Sequence, residues 1–84
     1  MRVCFITFRS VTPAQRGEQV LRRGGLRCTL QRTPRWMEEQ GCGYCLKVRP
    51  EDAEACTALL RKHQVPFRKV YNQREDGGVE EVAL

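Results

Sequence analysis

The sequence lacks an apolar segment long enough to cross a membrane. Its most apolar stretch, near the start, has about six residues, fewer than the ~7–15 of a signal-peptide core and the roughly 20 of a membrane span. We therefore predict a cytoplasmic protein with no membrane partner. In the cytoplasm, thiols stay reduced. The five cysteines then do not indicate a disulfide framework.

Metal-binding residues are also scarce. There is one histidine, and Cys42-Gly43-Tyr44-Cys45 forms a single C-x-x-C. A zinc ion held there would lack ligands, because structural zinc takes four of them. We predict no metal and no cofactor.

Blocks of like charge are absent, although Lys and Arg outnumber Asp and Glu by 15 to 10, a net charge of +5. A scattered basic excess favours small anions as partners. It does not indicate a nucleic-acid tail, which would need five or six like charges in a row. In 84 residues a large internal pocket is not expected, so any site should be a surface cleft or lie where elements end.

The hydrophobic pattern predicts alternating strands and helices. Strands are expected at residues 2–8, 26–31, 44–49 and 65–71, a first helix from Thr12 to Gly24, and a second from Pro50 to His63. This βαββαβ order predicts an α+β, ferredoxin-like sandwich, with a four-stranded antiparallel sheet and both helices on one face. Residues 1–71 would form one domain. Residues 72–84 would form a tail, flexible or adding a short strand.

This topology places several polar side chains at one end of the predicted sandwich. Cys42 lies at the start of strand 3, near the end of strand 1 and the first turn of helix 1, which contribute Ser10 and Thr12. His63, at the end of helix 2, arrives at the same end. The sequence therefore predicts a site at this end.

Several short motifs in this order resemble the selenium/sulfur carrier-like domains, small bacterial proteins of unknown function. They are Thr7-Phe8-x-Ser10, Ala14 and Glu18, Thr33-Pro34-Arg35, and Cys42-Gly43. The resemblance covers roughly residues 2–71 and implies that Cys42 carries sulfur or selenium beside Arg35. Donor and acceptor proteins for the chalcogen would be its partners. Cys45 has no counterpart in the pattern.

The residues around Cys42 suit a reactive thiol. Gly41 and Gly43 leave its sulfur open to a substrate, while Arg35 and the helix 1 amides can lower its pKa. The predicted site is Cys42, Arg35 and Gly43, with Ser10, Thr12, His63 and Cys45 as auxiliary residues. His63 could act as a base, but its position favours stabilisation of a helix C-terminus. Cys4, Cys28 and Cys56 have apolar neighbours and are predicted to lie in the core.

Three functions remain open. The first is a carrier using Cys42, and the second is a non-enzymatic module that binds an anion or a partner, with Cys42 structural. The third is a thiol-disulfide protein using Cys42 and Cys45. In extended chain their Cα atoms would be ~10 Å apart, beyond the roughly 7 Å limit for a disulfide. The sheet face away from the helices lacks the paired aromatic residues with which RNA-binding sheets stack bases, but it could form a homodimer.

Overall fold

The computed structural model describes residues 3–33 and 43–82, which form two α-helices and a five-stranded antiparallel sheet. The strands lie in the order β2-β3-β1-β4-β5. In chain order the elements are β1 (Val3–Phe8), α1 (Val11–Arg23), β2 (Cys28–Arg32), β3 (Tyr44–Val48), α2 (Ala53–Lys62), β4 (Val70–Gln73) and β5 (Val79–Val82). The predicted α+β class, with two helices against an antiparallel sheet, is confirmed.

Strand β1 lies at the centre of the sheet and is buried on both faces, as its run of aromatic and β-branched residues predicts. Cys4, Ile6 and Phe8 point toward the helices and are fully buried. Phe5 and Thr7 point to the opposite face and are 5% and 4% exposed. The central strand therefore anchors two layers of packing.

Both helices pack on the same face of the sheet. Leu21 of α1 and Leu60 of α2 belong to one core cluster with Ile6 and Leu46. Gly17 allows α1 to approach closely, because a Cβ there would lie 3.1–3.2 Å from the side chains of Phe8, Leu46 and Leu60. A shared core of this kind fixes the ends of the helices relative to the sheet.

The prediction of four strands is wrong, because the chain after β4 turns back to form β5. The turn is closed by two backbone bonds, Arg74 N–H to the Gly78 carbonyl at 2.7 Å and Gly77 N–H to the Arg74 carbonyl at 3.0 Å. Gly77 has φ +86°, which glycine adopts without strain. Asp76 Oδ1 accepts the Gly78 N–H at 2.7 Å. Residues 79–82 therefore add an edge strand.

The start of the fourth strand also differs from the prediction. Strand β4 begins at Val70 rather than at residue 65. Pro66 has no N–H to donate to a ladder. At Lys69 the N–H donates to Thr7 Oγ1 at 3.0 Å, so a side chain takes part in the pairing just before the strand begins.

The helix boundaries differ by a residue or a turn from those predicted. Helix α1 begins at Val11 with Ser10 as its N-cap, not Thr12. Pro50–Asp52 forms a separate 3₁₀ turn, and α2 starts at Ala53. The predicted stop after α1 is confirmed, since Gly24 is its C-cap and Gly25 has φ +80°.

The sheet face away from the helices carries a second, smaller apolar cluster. Phe5 and Cys45 are buried there, with Val3 and Tyr71 packed against them. Phe5 and Tyr71 are cross-strand partners, so the statement that this face lacks paired aromatic residues is wrong. With 5% exposure, however, the Phe5 ring offers little surface for a base to stack on.

Candidate functional site

The predicted site is flanked by Thr33 and Gly43, which stand on either side of residues 34–42. Cys42 and Arg35 fall outside the described residues, as does Gly41. Phe8, Tyr44 and Arg32 form the last register row of β1, β3 and β2. Directly beyond this row, Thr33 N–H donates to the Gly43 carbonyl at 3.0 Å. This bond fixes the two points between which residues 34–42 run.

Gly43 is buried and joins Cys42 to the start of β3. Its carbonyl accepts the Thr33 N–H, while Tyr44 begins the ladder with Phe8. Phe8 is followed by Arg9 and Ser10, which lead into α1. The residue after the predicted carrier cysteine is therefore held at the sheet end where α1 begins.

The first turn of α1 presents uncapped amide groups. Ser10 is extended, with φ −152° and ψ 174°, and its hydroxyl makes no capping hydrogen bond. No acidic residue lies in this turn, and both Ser10 and Thr12 are exposed. Within the part of the chain that the structure describes, no side-chain cap and no acidic residue offsets the positive end of the helix dipole.

His63 is the C-cap of α2 and is exposed. Its backbone N–H donates to the Leu59 carbonyl at 3.1 Å. Within the described residues, its side chain makes no hydrogen bond or ion pair. This placement matches the helix C-terminal role that the sequence favoured for it.

Cys45 is fully buried on the sheet face away from the helices, between Thr7 and Gln31 in the register. Burial raises the pKa of its thiol, while polar contacts from Thr33 and Gln31 lower it by less. Cys45 is therefore a shielded thiol, favoured in its protonated form.

Arg32 is a cation at this end that the sequence reasoning did not single out. It is exposed at the last position of β2, and its guanidinium lies 5.9 Å from the centroid of the Tyr44 ring. The register pairs the two residues across β2 and β3. Strand alternation past Gln31 would have added Arg32 to β2, but only the register shows that it lies opposite Tyr44.

The remaining described cysteines are core residues, as predicted. Cys4 and Cys56 are fully buried and Cys28 is 9% exposed. Burial raises the pKa of Cys4 to about 11 and that of Cys56 to about 12. The pKa of Cys28 is also raised by burial, against a smaller opposing effect of the Arg22 side chain. All three, like Cys45, are free thiols.

Neither metal ligands nor membrane-spanning helices are found in the described parts of the chain. No group of three or more His, Cys, Asp or Glu side chains at residues 3–33 and 43–82 could hold a metal ion. Neither described helix has the length and apolar character that a membrane crossing requires.

Comparison with known proteins gives one match. The family model described as "Putative Se/S carrier protein-like" matches residues 3–72, which covers β1 through most of β4 and includes both Cys42 and Gly43. No curated protein and no solved structure matches the chain. On the extent of the family match, and with the motif residues in their expected order, the chain belongs to the Se/S carrier protein-like family.

Proposed function

We propose that this protein is a small sulfur or selenium carrier in which Cys42 is the carrier thiol. The observation that carries the proposal is the family match over residues 3–72, within which Cys42 precedes a buried, hydrogen-bonded glycine. Donor and acceptor proteins for the chalcogen would be the partners. The protein would act as a carrier rather than as a turnover enzyme.

Loading would transfer one sulfur atom from a donor persulfide to the Cys42 thiol. The Cys42 thiolate attacks the terminal sulfur of a donor persulfide, R–S–SH. A new S–S bond forms on Cys42, the donor's S–S bond breaks, and R–S⁻ leaves with the electron pair. An acceptor thiolate reverses these steps at Cys42. No oxidant is required, because one persulfide is exchanged for another.

The charge around the site supports a reactive thiolate. The first turn of α1 has no capping hydrogen bond from Ser10 and no acidic residue, and Arg32 lies across from Tyr44. Arg35 would add a second cation. A helix N-terminus and nearby cations lower a cysteine pKa. Gly43 would give a donor access to the sulfur, while Ser10 and Thr12 could donate hydrogen bonds to it.

The shielding of Cys45 disfavours a thiol-disulfide reaction. Redox partners need an accessible resolving thiol, and the Cys45 side chain is fully buried with a raised pKa. The anion-binding module remains the alternative, because the α1 amides suit an anion whether or not Cys42 reacts.

The mass of the loaded protein tests the proposal. Treatment with a small persulfide donor, followed by removal of excess reagent, should add about one sulfur mass that a thiol reductant removes. Cys42→Ser should abolish the gain. Cys45→Ser is the matched control and should load like the parent. Loading that survives Cys42→Ser but is lost in Cys45→Ser would refute Cys42 as the carrier, and no loading in any form would favour the binding module.

A further inference from the structure

A basic groove of about 840 Å³ lies where β2 begins and β3 ends. Its floor includes Leu26 and Val48, and its polar lining includes Thr29. Four cationic side chains line it, and all four are exposed: Arg22, Arg27, Lys47 and Arg49. Among residues 3–33 and 43–82, no Asp or Glu lines this groove.

Strand register brings these cations together. Thr29 pairs with Lys47, and the register ends with Cys28 and Val48; Arg27 directly precedes Cys28 and Arg49 directly follows Val48 at this end of the two strands. Lys47 lies two residues from Arg49 on the same face. Three positive charges thus share one small area of the sheet.

The charges in the groove are only partly compensated. Arg49 Nε lies 2.7 Å from Glu51 Oε1, and Arg22 Nη2 lies 3.3 Å from Glu18 Oε2. Arg27 and Lys47 have no such partner among the residues that the structure describes. A bound anion would offset the repulsion that these two add.

We propose that this groove binds the phosphate groups of a small ligand of about nucleotide size. Arginine forks match phosphate oxygens bidentately, and a phosphate brings more negative charge than a single carboxylate. The groove volume falls within the roughly 300–1,000 Å³ of small-ligand sites, and the half-buried Leu26 side chain offers an apolar surface to the uncharged part of the ligand.

Two observations separate this site from others. Tyr44 and Arg49 are five steps apart, about 17 Å of strand, so Arg27 and Arg49 lie at the other end of β3 from Gly43, while the lining of the groove extends along β2 as far as Gln31, the register partner of Cys45. The groove therefore does not depend on the carrier function of Cys42. In the register, the aromatic neighbour of Lys47 is Phe5, and its burial leaves little ring surface there for a base to stack on, which favours a small ligand over single-stranded RNA.

Titration of the full chain with ADP and with pyrophosphate, followed by the amide resonances of Thr29 and Lys47, tests the proposal. Both probes should shift these resonances. The double variant Arg27→Ala with Lys47→Ala should weaken ADP binding by about tenfold or more, because it removes two charged donors. Arg16→Ala with Lys62→Ala is the control, since it removes the same charge from exposed helix positions outside the groove and should weaken binding by less than about twofold.

Three results would overturn the proposal. Equal weakening in the two double variants would mean that only net charge matters. Citrate binding as tightly as pyrophosphate would remove the preference for phosphate. A uridine oligonucleotide that bound more tightly than ADP, and lost binding in the groove variant, would assign the phosphates to nucleic acid instead of a small ligand. Normal sulfur loading of the groove variant would show that the two ends act separately.

Discussion

Among the described residues, Arg32 is the cation whose position bears most directly on the proposed carrier thiol. Its register partner, Tyr44, is only two residues beyond Cys42, and the Tyr44 ring holds the guanidinium at 5.9 Å. A cation held over an aromatic ring is better ordered than a surface arginine that extends freely into solvent. If Cys42 is the carrier thiol, we therefore expect Arg32 as well as Arg35 to contribute positive charge to its surroundings.

Arg32→Ala should raise the pKa of Cys42 and slow its alkylation at pH 7. The expected decrease is on the order of twofold to fivefold, the size of an exposed charge interaction. Alkylation rate against pH, measured in a Cys45→Ser background, gives the pKa directly. For the parent it should lie below the reference value of about 8.5.

Arg32→Lys should restore most of the rate, and Arg23→Ala, at the far end of α1, should leave it unchanged. If the pKa of Cys42 in the parent is at or above the reference value, the proposal that its thiolate is stabilised is wrong. If Arg23→Ala slows alkylation as much as Arg32→Ala, the effect comes from net charge.

At the scale of secondary structure, a side chain in the turn of the β4–β5 hairpin accepts a backbone hydrogen bond. Asp76 accepts the N–H of Gly78 at 2.7 Å, and Arg74 Nε lies 3.5 Å from the same oxygen. The pKa of Asp76 is lowered, mainly by the Gly78 N–H and then by Arg74. Since the ionised carboxylate makes these contacts, the turn is favoured above the usual carboxyl pKa and weakened as pH falls through the lowered one.

Asp76→Ala should loosen β5 without unfolding the domain. Amide exchange in Val79–Val82 should become several-fold faster, because the turn loses a charge-assisted hydrogen bond. Glu75→Ala is the matched control, as its exposed side chain makes no hydrogen bond or ion pair within the described residues. Equal exchange in the two variants would show that Asp76 does not hold the hairpin.

The elements that the sequence predicted well are those whose signal is local. Strand β1 follows from one apolar run, and the end of α1 from Gly24 and Gly25. The start of β4 could not be read from apolar content, because the pairing with Thr7 just before Val70 is irregular: the Thr7 carbonyl accepts the N–H of Arg68, while the N–H of Lys69 donates to Thr7 Oγ1. An Asp-Gly pair before alternating residues is a hairpin signal, and it predicts β5 once residues 72–78 are recognised as a turn.

For the candidate site, the sequence predicted that Ser10 and Gly43 lie at one end of the sheet and named Arg35, but not Arg32, as a cation there. Ser10 and Gly43 lie at the same end because strand directions are fixed by topology. Arg32 was missed because its importance depends on the register with Tyr44, which a single strand does not reveal. The groove lined by Arg27 and Lys47 was missed for the same reason.

For the whole molecule, the buried thiols make the free energy of unfolding depend on pH in the alkaline range. Folding raises the pKa of Cys4 to about 11 and that of Cys56 to about 12. Unfolded, each thiol ionises near the reference value of about 8.5. Above that pH the unfolded state binds fewer protons, so the free energy of unfolding must fall as pH rises from about 9 toward 11.

Cys56→Ala should make this fall less steep. Each buried thiol contributes at most about 1.4 kcal/mol per pH unit to the slope, and the variant removes one contribution. Urea unfolding at several pH values, with reductant present, measures the slope. Leu59→Ala serves as the control, because it destabilises the same helix and should keep the parent slope. An unchanged slope in Cys56→Ala would mean that this thiol does not titrate on unfolding.

The central position of β1 also has a consequence for how the protein is made. Both neighbours of β1, strands β3 and β4, follow it in the chain, and β4 ends only at Gln73. During synthesis, β1 therefore leaves the ribosome before the other strands. Its second edge stays unpaired until β4, near the end of the domain, has been synthesised. Contacts between distant residues form slowly, and unpaired apolar strands invite association. A nascent chain paused before residue 70 would expose one edge of this strand to chaperones or to other chains.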